Sequence, residues 1–354
     1  MQDANWVIEE TKMVQFGDKR LNKRYEKLLD GLASHAPKSI PSSFKSWKET
    51  IAAYRFFNHK NITPDGILTP HREATLARIK NEKTVLIPQD TTEIDFTGRE
   101  SISGMGYLGS QYSHGIYLHP SLAMTPERTC LGIVNTHTWT RDKLGTAESR
   151  KKKPIEEKET YRWIKGYETA NAIALVSPDT LIVSIADREG DMYDLLQKMP
   201  SESNKAYWLV RSSHNREVLN ETDNELTLRL REAVRASKPI GSIEFKMSPG
   251  KIHTQDAWTR RERKERTVHQ EIRACTVYVK PPSSKYKINI YKKSAPIPIN
   301  VVHCREINAP SDEETIEWFL LTSFPVTDAE TAIEVVKWYL CRWQILLLPG
   351  EFCI

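Results

Sequence analysis

Two short apolar runs, each closed by an aspartate, constrain this chain more than any other feature. "TVLIPQD" ends at Asp90 and "DTLIVSIAD" ends at Asp187. The second is nearly continuous in branched apolar residues, the pattern of a strand buried on both faces. An apolar strand delivers the polar group at its end with little freedom, which a metal site requires. Two such strands side by side hold divalent cations through hard oxygen ligands. A pair of metals then activates a water or a 3′-hydroxyl and stabilises the leaving oxygen of a phosphodiester. Taken singly, a strand-end aspartate also reads as a plain cap of a turn or helix.

The bulk numbers narrow the class. At 354 residues, with 39% hydrophobic and 27% charged, the chain is globular and long enough for two or three domains. No apolar run approaches the roughly 20 residues of a membrane span. "MQDANWVIEE" lacks the basic-then-apolar pattern of a secretory signal. Cys130, Cys275, Cys304, Cys341 and Cys353 are scattered and never form a CxxC pair, which predicts a reducing cytosol and argues against a thiolate zinc site. The net charge of +5 is concentrated in "GDKRLNKR", "SRKKKP" and "TRRERKER". Each cluster alone reads as a solvated surface, but three together point to a polyanion partner.

Residues 1–80 read as helices. Leu21, Tyr25, Leu28 and Leu32 recur at helical spacing behind Asp18, an expected N-cap. Phe44, Trp47, Ile51 and Tyr54 repeat the pattern after Ser43, and Thr63-Pro64 opens a third helix. The pattern then changes to strands, with "HGIYLHPSLAM" turning through "TPER" into "CLGIVNTHTW" as a hairpin. A helix is expected from about Glu156 to Leu175, and Asp191 is expected to cap the helix after Asp187. Strand-like pieces follow: "YWLVRSS", "GSIEFKM", "RACTVYVK", "KINIY", "INVVHC" and "WFLLTS". Thr327 and Glu330 form a capping box for a last helix, with Ala329, Ile333, Val336, Leu340, Trp343 and Leu347 as its buried stripe. On that helix Tyr339 and Arg342 stand three apart and share a face. One turn on, where a third carboxylate is expected, stands Leu346. Ser113-His114 and His303-Cys304 are poor nucleophile pairs, because neighbours on a strand point to opposite faces.

The strings "FGDKRLNKR", "AAYRFFNH", "LIPQDTTEIDF", "HGIYLHPSLAMTP", "EEKETYRW", "IADREGDMYDLL", "LVRSSH", "EINAP", "WFLLTSFPV" and "WYLCRWQI" together resemble the bacterial cut-and-paste DDE transposases of the insertion-sequence group that includes transposon Tn-five. The resemblance implies an α/β fold: an RNase H-like catalytic core with a β-rich insertion, preceded by a small all-α N-terminal DNA-binding domain. In these terms residues 1–80 form the helical domain, 81–205 the first part of the core, 206–315 the insertion and 316–354 the end of the core. It further implies Asp90 and Asp187 as catalytic ligands of Mg2+ or Mn2+. Lys19, Arg20, Lys23, Arg24, Arg211, Trp318, Tyr339 and Arg342 are then the DNA-binding residues. Tyr339 and Arg342 match the start of a Tyr-Arg-Glu-Lys signature, and Trp318 matches an aromatic on which a flipped base stacks.

The same resemblance implies double-stranded transposon ends as partner, a dimer on paired ends, no membrane and a place in the bacterial cytosol at the nucleoid. The departures are expectations too. The catalytic Glu position is Leu346, Pro349-Gly350 stops the helix, and the signature Lys and a dimerisation region are absent from this sequence, as in a frameshifted copy. Three readings remain: a transposase impaired in cleavage, a catalytically inactive DNA-binding remnant or inhibitor of transposition, and an unrelated RNase H-like nuclease.

Overall fold

The structure is a computed structural model that describes every residue except 1–3, 37, 100–101, 144–151, 221–226, 248, 254–259, 283–290, 292–293, 312 and 348–354. The fold is mixed α/β and divides into two compact units, Met1–Ile185 with Cys341–Ile354, and Ala186–Leu340. Among the described residues, no helix is long and apolar enough to cross a membrane.

The first unit opens with five helices: α1 (Ala4–Thr11), α2 (Lys19–Ala33), α3 (Ile40–Ser43), α4 (Trp47–Phe57) and α5 (Pro64–Ile79). Asp18 caps α2 as expected, its carboxylate accepting from the Arg20 N–H at 2.8 Å. Thr63 caps α5, its hydroxyl accepting from the Gly66 N–H at 3.1 Å, with Pro64 at the first position. The cap of α4 lies three residues beyond Ser43: the Ser46 hydroxyl accepts from the Glu49 N–H. The inward face of α4 is Thr50, Ala53 and Phe56, whereas Trp47 is 73% exposed and Tyr54 also faces solvent. Small Ala53 lets α4 approach closely, and Phe56 then stacks on Tyr25 and meets the edge of Phe16. These side chains, with Val14 and Leu28, form the core of the helical module.

The strands of this unit are β1 (Thr84–Pro88), β2 (Thr92–Asp95), β3 (Gly106–Tyr107), β4 (His114–Met124), β5 (Cys130–Trp139) and β6 (Leu181–Ala186). The hairpin β4–β5 forms as the alternation predicts. On the other edge of β4 lie β1 and then β2, both antiparallel to it. β1 also pairs with β6, in parallel, from Thr84↔Leu181 to Pro88↔Ile185. Pro88 is thus tolerated at the last position of a strand that has neighbours on both sides. The helix expected from Glu156 begins at Tyr161 and runs to Val176, after a single 3-10 turn at Ile155–Glu157.

The second unit is built on an antiparallel meander, with β7 (Tyr207–Arg211), β15 (Glu317–Thr322), β14 (Ile297–Glu306) and β13 (Arg266–Val279) paired in that order. The free edge of β13 takes β8 (Glu217–Asn220), followed by β9 (Thr227–Arg229), near one end and β10 (Pro239–Met247) near the other. β11 (Gly250–His253) and β12 (Arg260–Arg263) make a separate ribbon. The "KINIY" strand lies outside the described residues apart from Tyr291.

The last helix, Ala329–Cys341, departs from expectation in two ways. Its first turn is capped by Asp328, which accepts from the Thr331 N–H at 2.9 Å, rather than by Thr327 and Glu330. Its buried positions are Ala332, Val335, Val336, Trp338 and Tyr339, while Trp343 beyond it is 43% exposed. The rotation follows from packing: Trp338 meets the edge of Phe324 and Tyr339 the edge of Trp318. The α-helix ends at Cys341, and Arg342–Leu347 continue as a 3-10 segment. Tyr339 and Arg342 therefore do not share an α-helical face, and both are buried rather than solvent-facing. The Leu346 side chain lies outside what the structure describes.

Candidate functional site

Asp90 sits in a break between two strands. The bridge Gln89↔Ser121 and the later pair Thr92↔Leu118 set Asp90 opposite Pro120 and Thr91 opposite His119. Proline has no N–H, so it accepts from the Asp90 N–H at 3.4 Å but donates nothing back. The ladder is thereby weakened at the carboxylate. The Asp90 side chain keeps 18% exposure and faces the buried guanidinium of Arg342 at 3.5 Å. Arg342 also lies over the ring of Trp343, 4.6 Å from its centroid.

Behind Asp90 lies a buried polar cluster that the sequence reading passed over. Gln89, His119, Arg162 and Ser184 are buried, all in the first unit. His119 stands edge-on to Trp163 at 4.6 Å. Burial, and then the nearby positive charge of Arg162, push the His119 imidazole down to about 3, so the ring is neutral at ordinary pH. Polar residues inside apolar stretches were the available signal: His119 within "HGIYLHPSLAM", and Arg162 beside Trp163.

Asp187 lies at the start of the second unit. It caps the 3-10 turn Arg188–Gly190, its carboxylate accepting from the Glu189 N–H at 2.8 Å, and is half-buried. Asp191, expected as a helix cap, has another role. Its carboxylate is fully buried, ion-paired with Arg216, and accepts from the Ser213 N–H at 2.7 Å and the His214 N–H at 2.9 Å. The next helix, Tyr193–Leu196, has Met192 at its N-cap instead.

Asp90 and Asp187 each stand two residues past the register pair Pro88↔Ile185. Both are hard oxygen donors, the type that Mg2+ or Mn2+ takes. Among the described residues no three His, Cys, Asp or Glu side chains gather closely enough to hold a metal ion.

The remaining candidates divide by exposure. Lys19, Arg20 and Lys23 project from α2 into solvent and Arg24 is half-buried. Arg20 pairs with its own cap Asp18 at 3.1 Å, which offsets part of its charge. Arg211 ends β7, opposite Leu320, and is half-buried. Trp318 is buried and stacks on Phe245 at 5.7 Å. Of the basic clusters, the first half of "SRKKKP" lies outside the described residues, and "TRRERKER" includes β12.

Among solved structures, the chain is similar to the piggyBac transposase in its synaptic complex with hairpin DNA, at 11% identity and a TM-score of 0.35. The match covers 99% of this chain and 58% of that one, so this chain spans a little over half of that chain's length. Residues 3–62, the stretch that contains α1 to α4 and most of the core around Phe16, Tyr25 and Phe56, match the family model described as Transposase DNA-binding.

Proposed function

We propose that this chain is a transposase-type protein that binds double-stranded DNA at the ends of a mobile element through its N-terminal helical module. The observation that carries this is the match of residues 3–62 to a transposase DNA-binding family. Its support in the geometry is a module with its own aromatic core and a row of exposed cations on α2. Lys and Arg on such a face neutralise phosphates and release counterions, so binding weakens steeply with salt.

The finer reading places an RNase H-like core of the DDE type behind that module, in the insertion-sequence group named above. In its favour are the antiparallel strands β5, β4 and β1 followed by the parallel strand β6, with an aspartate two residues past each of the two paired strand ends. Asp90 and Asp187 would hold Mg2+ or Mn2+, which when bound supplies Lewis-acid activation of a phosphodiester. Arg342 balances the Asp90 charge, and Asp187 is oriented by its turn. Action on paired ends as a dimer, in a bacterial cytosol, belongs to the same reading.

A second reading has a specific observation behind it. Leu346 offers no ligand where the related signature has Glu, so the chain binds ends without efficient strand cleavage. Losing one carboxylate from a two-metal site removes several orders of magnitude in rate.

Two measurements test these readings. Affinity for duplex DNA should fall steeply between low and high salt, and changing Lys19, Arg20, Lys23 and Arg24 to Ala should weaken binding and flatten the salt slope. Salt-independent binding, or no effect of the four changes, refutes the DNA-binding role of α2. With Mn2+ and paired ends the chain should nick DNA barely if at all; robust nicking refutes the impaired reading.

A further inference from the structure

The polar side chains behind Asp90 form one directional chain of hydrogen bonds. Arg162 Nε donates to Thr91 Oγ1 at 2.9 Å. The Thr91 hydroxyl lies 2.9 Å from His119 Nδ1, and His119 Nε2 lies 3.1 Å from Gln89 Oε1. Gln89 Nε2 donates to the Ser184 hydroxyl at 2.8 Å. An amide oxygen only accepts, so His119 must carry its proton on Nε2 and accept from Thr91 at Nδ1. Every link then runs one way, from Arg162 on its helix, through Thr91, His119 on β4 and Gln89 just past β1, to Ser184 on β6.

The placement is as specific as the polarity. Gln89 and Thr91 point to one face of the strand and Asp90, between them, to the other. That face is closed by the helix Tyr161–Val176, where Gly166 leaves no room for more: a Cβ there would lie 1.9 Å from Gln89 Oε1. The chain therefore grips the backbone on both sides of Asp90, at the point where Pro120 opposite provides no donor. Fully satisfied buried networks rigidify their surroundings, at a desolvation cost that apolar packing would avoid.

We propose that Thr91 and His119 are positioning residues for Asp90: their hydrogen bond, anchored by Arg162 and Gln89, holds the strand break rigid so that the carboxylate meets a divalent cation in one geometry. This rests on the reading of Asp90 as a cation ligand, and the two are separable by experiment.

Amide exchange, read by mass spectrometry on the peptide spanning residues 89–92, needs no metal. Thr91→Val, which keeps the shape but loses the hydroxyl, should speed exchange there about tenfold, and Thr91→Ser should restore it. Unchanged exchange in Thr91→Val, or no rescue by serine, overturns the proposal. Nitrogen-15 spectra of the unaltered protein provide a test free of folding defects: His119 must be the Nε2–H tautomer, and the other tautomer overturns the chain. Manganese titration followed by electron paramagnetic resonance adds the ligand reading, with Asp90→Asn as reference. Binding weakened about tenfold in Thr91→Val and recovered in Thr91→Ser supports positioning. Equal binding by the unaltered protein and Asp90→Asn defeats the ligand reading alone, and the exchange data still decide the network.

Discussion

The Asp191 carboxylate has no exposed surface and is enclosed by Arg216 and two backbone N–H groups, whereas the Asp90 carboxylate keeps 18% of its surface and faces Arg342 at a longer distance. Each lies in a different compact unit. Asp191 ties the 213–216 turn to the start of the second unit, and Arg216 adds a 2.8 Å bond to the Asp191 carbonyl. Charge and hydrogen bonds there close on themselves, so the group is architecture. Asp90 is gripped through its neighbours while its own carboxylate stays partly open. Both carboxylates are engaged, but only that of Asp90 keeps exposed surface beside its partners, the Thr91 N–H and Arg342.

The sharpest way to break this contrast is to neutralise each aspartate. Asp191→Asn leaves half-buried Arg216 without a counter-charge and sets an amide donor against donors. The loss should be about 3–5 kcal/mol in urea unfolding. Gly166→Ala forces a methyl into Gln89 and should cost about 1–3 kcal/mol, with faster exchange around Asp90 but not around Asp191. If both regions respond alike, the network is not local.

The pH dependence sharpens the same point. His119 is depressed to about 3 in the fold against an ordinary value near 6.5, so the fold favours the neutral ring. Its contribution is present above pH 6.5 and is lost as pH falls toward 3. Between pH 6.5 and 5 this amounts to about 1.5 kcal/mol, which urea titrations should show in the unaltered protein and not in His119→Asn. The smallest effect belongs to Asp90→Asn, about 1 kcal/mol, since the group is partly hydrated and Asn keeps an acceptor for the Thr91 N–H. A cost equal to that of Asp191→Asn would erase the distinction drawn between the two sites.

Much of the local structure was legible in the chain. Asp18 and Thr63 act as caps because a short polar side chain beside orphan N–H groups needs no tertiary help. The hairpin β4–β5 and the strands ending before Asp90 and Asp187 follow from apolar patterning and turn residues. What failed were choices between near-equivalent local options. Ser43 against Ser46, and Thr327 against Asp328, are close alternatives that the packing of α4 and of the last helix resolves. The face of the last helix was misread for the same reason, since a stripe through Trp343 is as regular as the one through Tyr339 that is buried.

The sequence by itself determined the caps at Asp18 and Thr63, the strand runs and the cationic face of α2, because propensity, periodicity and charge act between residues close in the chain. The tertiary structure alone decided which polar groups meet. Thr91 finds Arg162 from 71 positions away, and Gln89 finds Ser184 from 95. Asp191 became a buried anchor through Arg216, and Tyr339 was turned inward by Trp318. Such pairings depend on register and helix rotation, which small packing differences set and which no local pattern encodes.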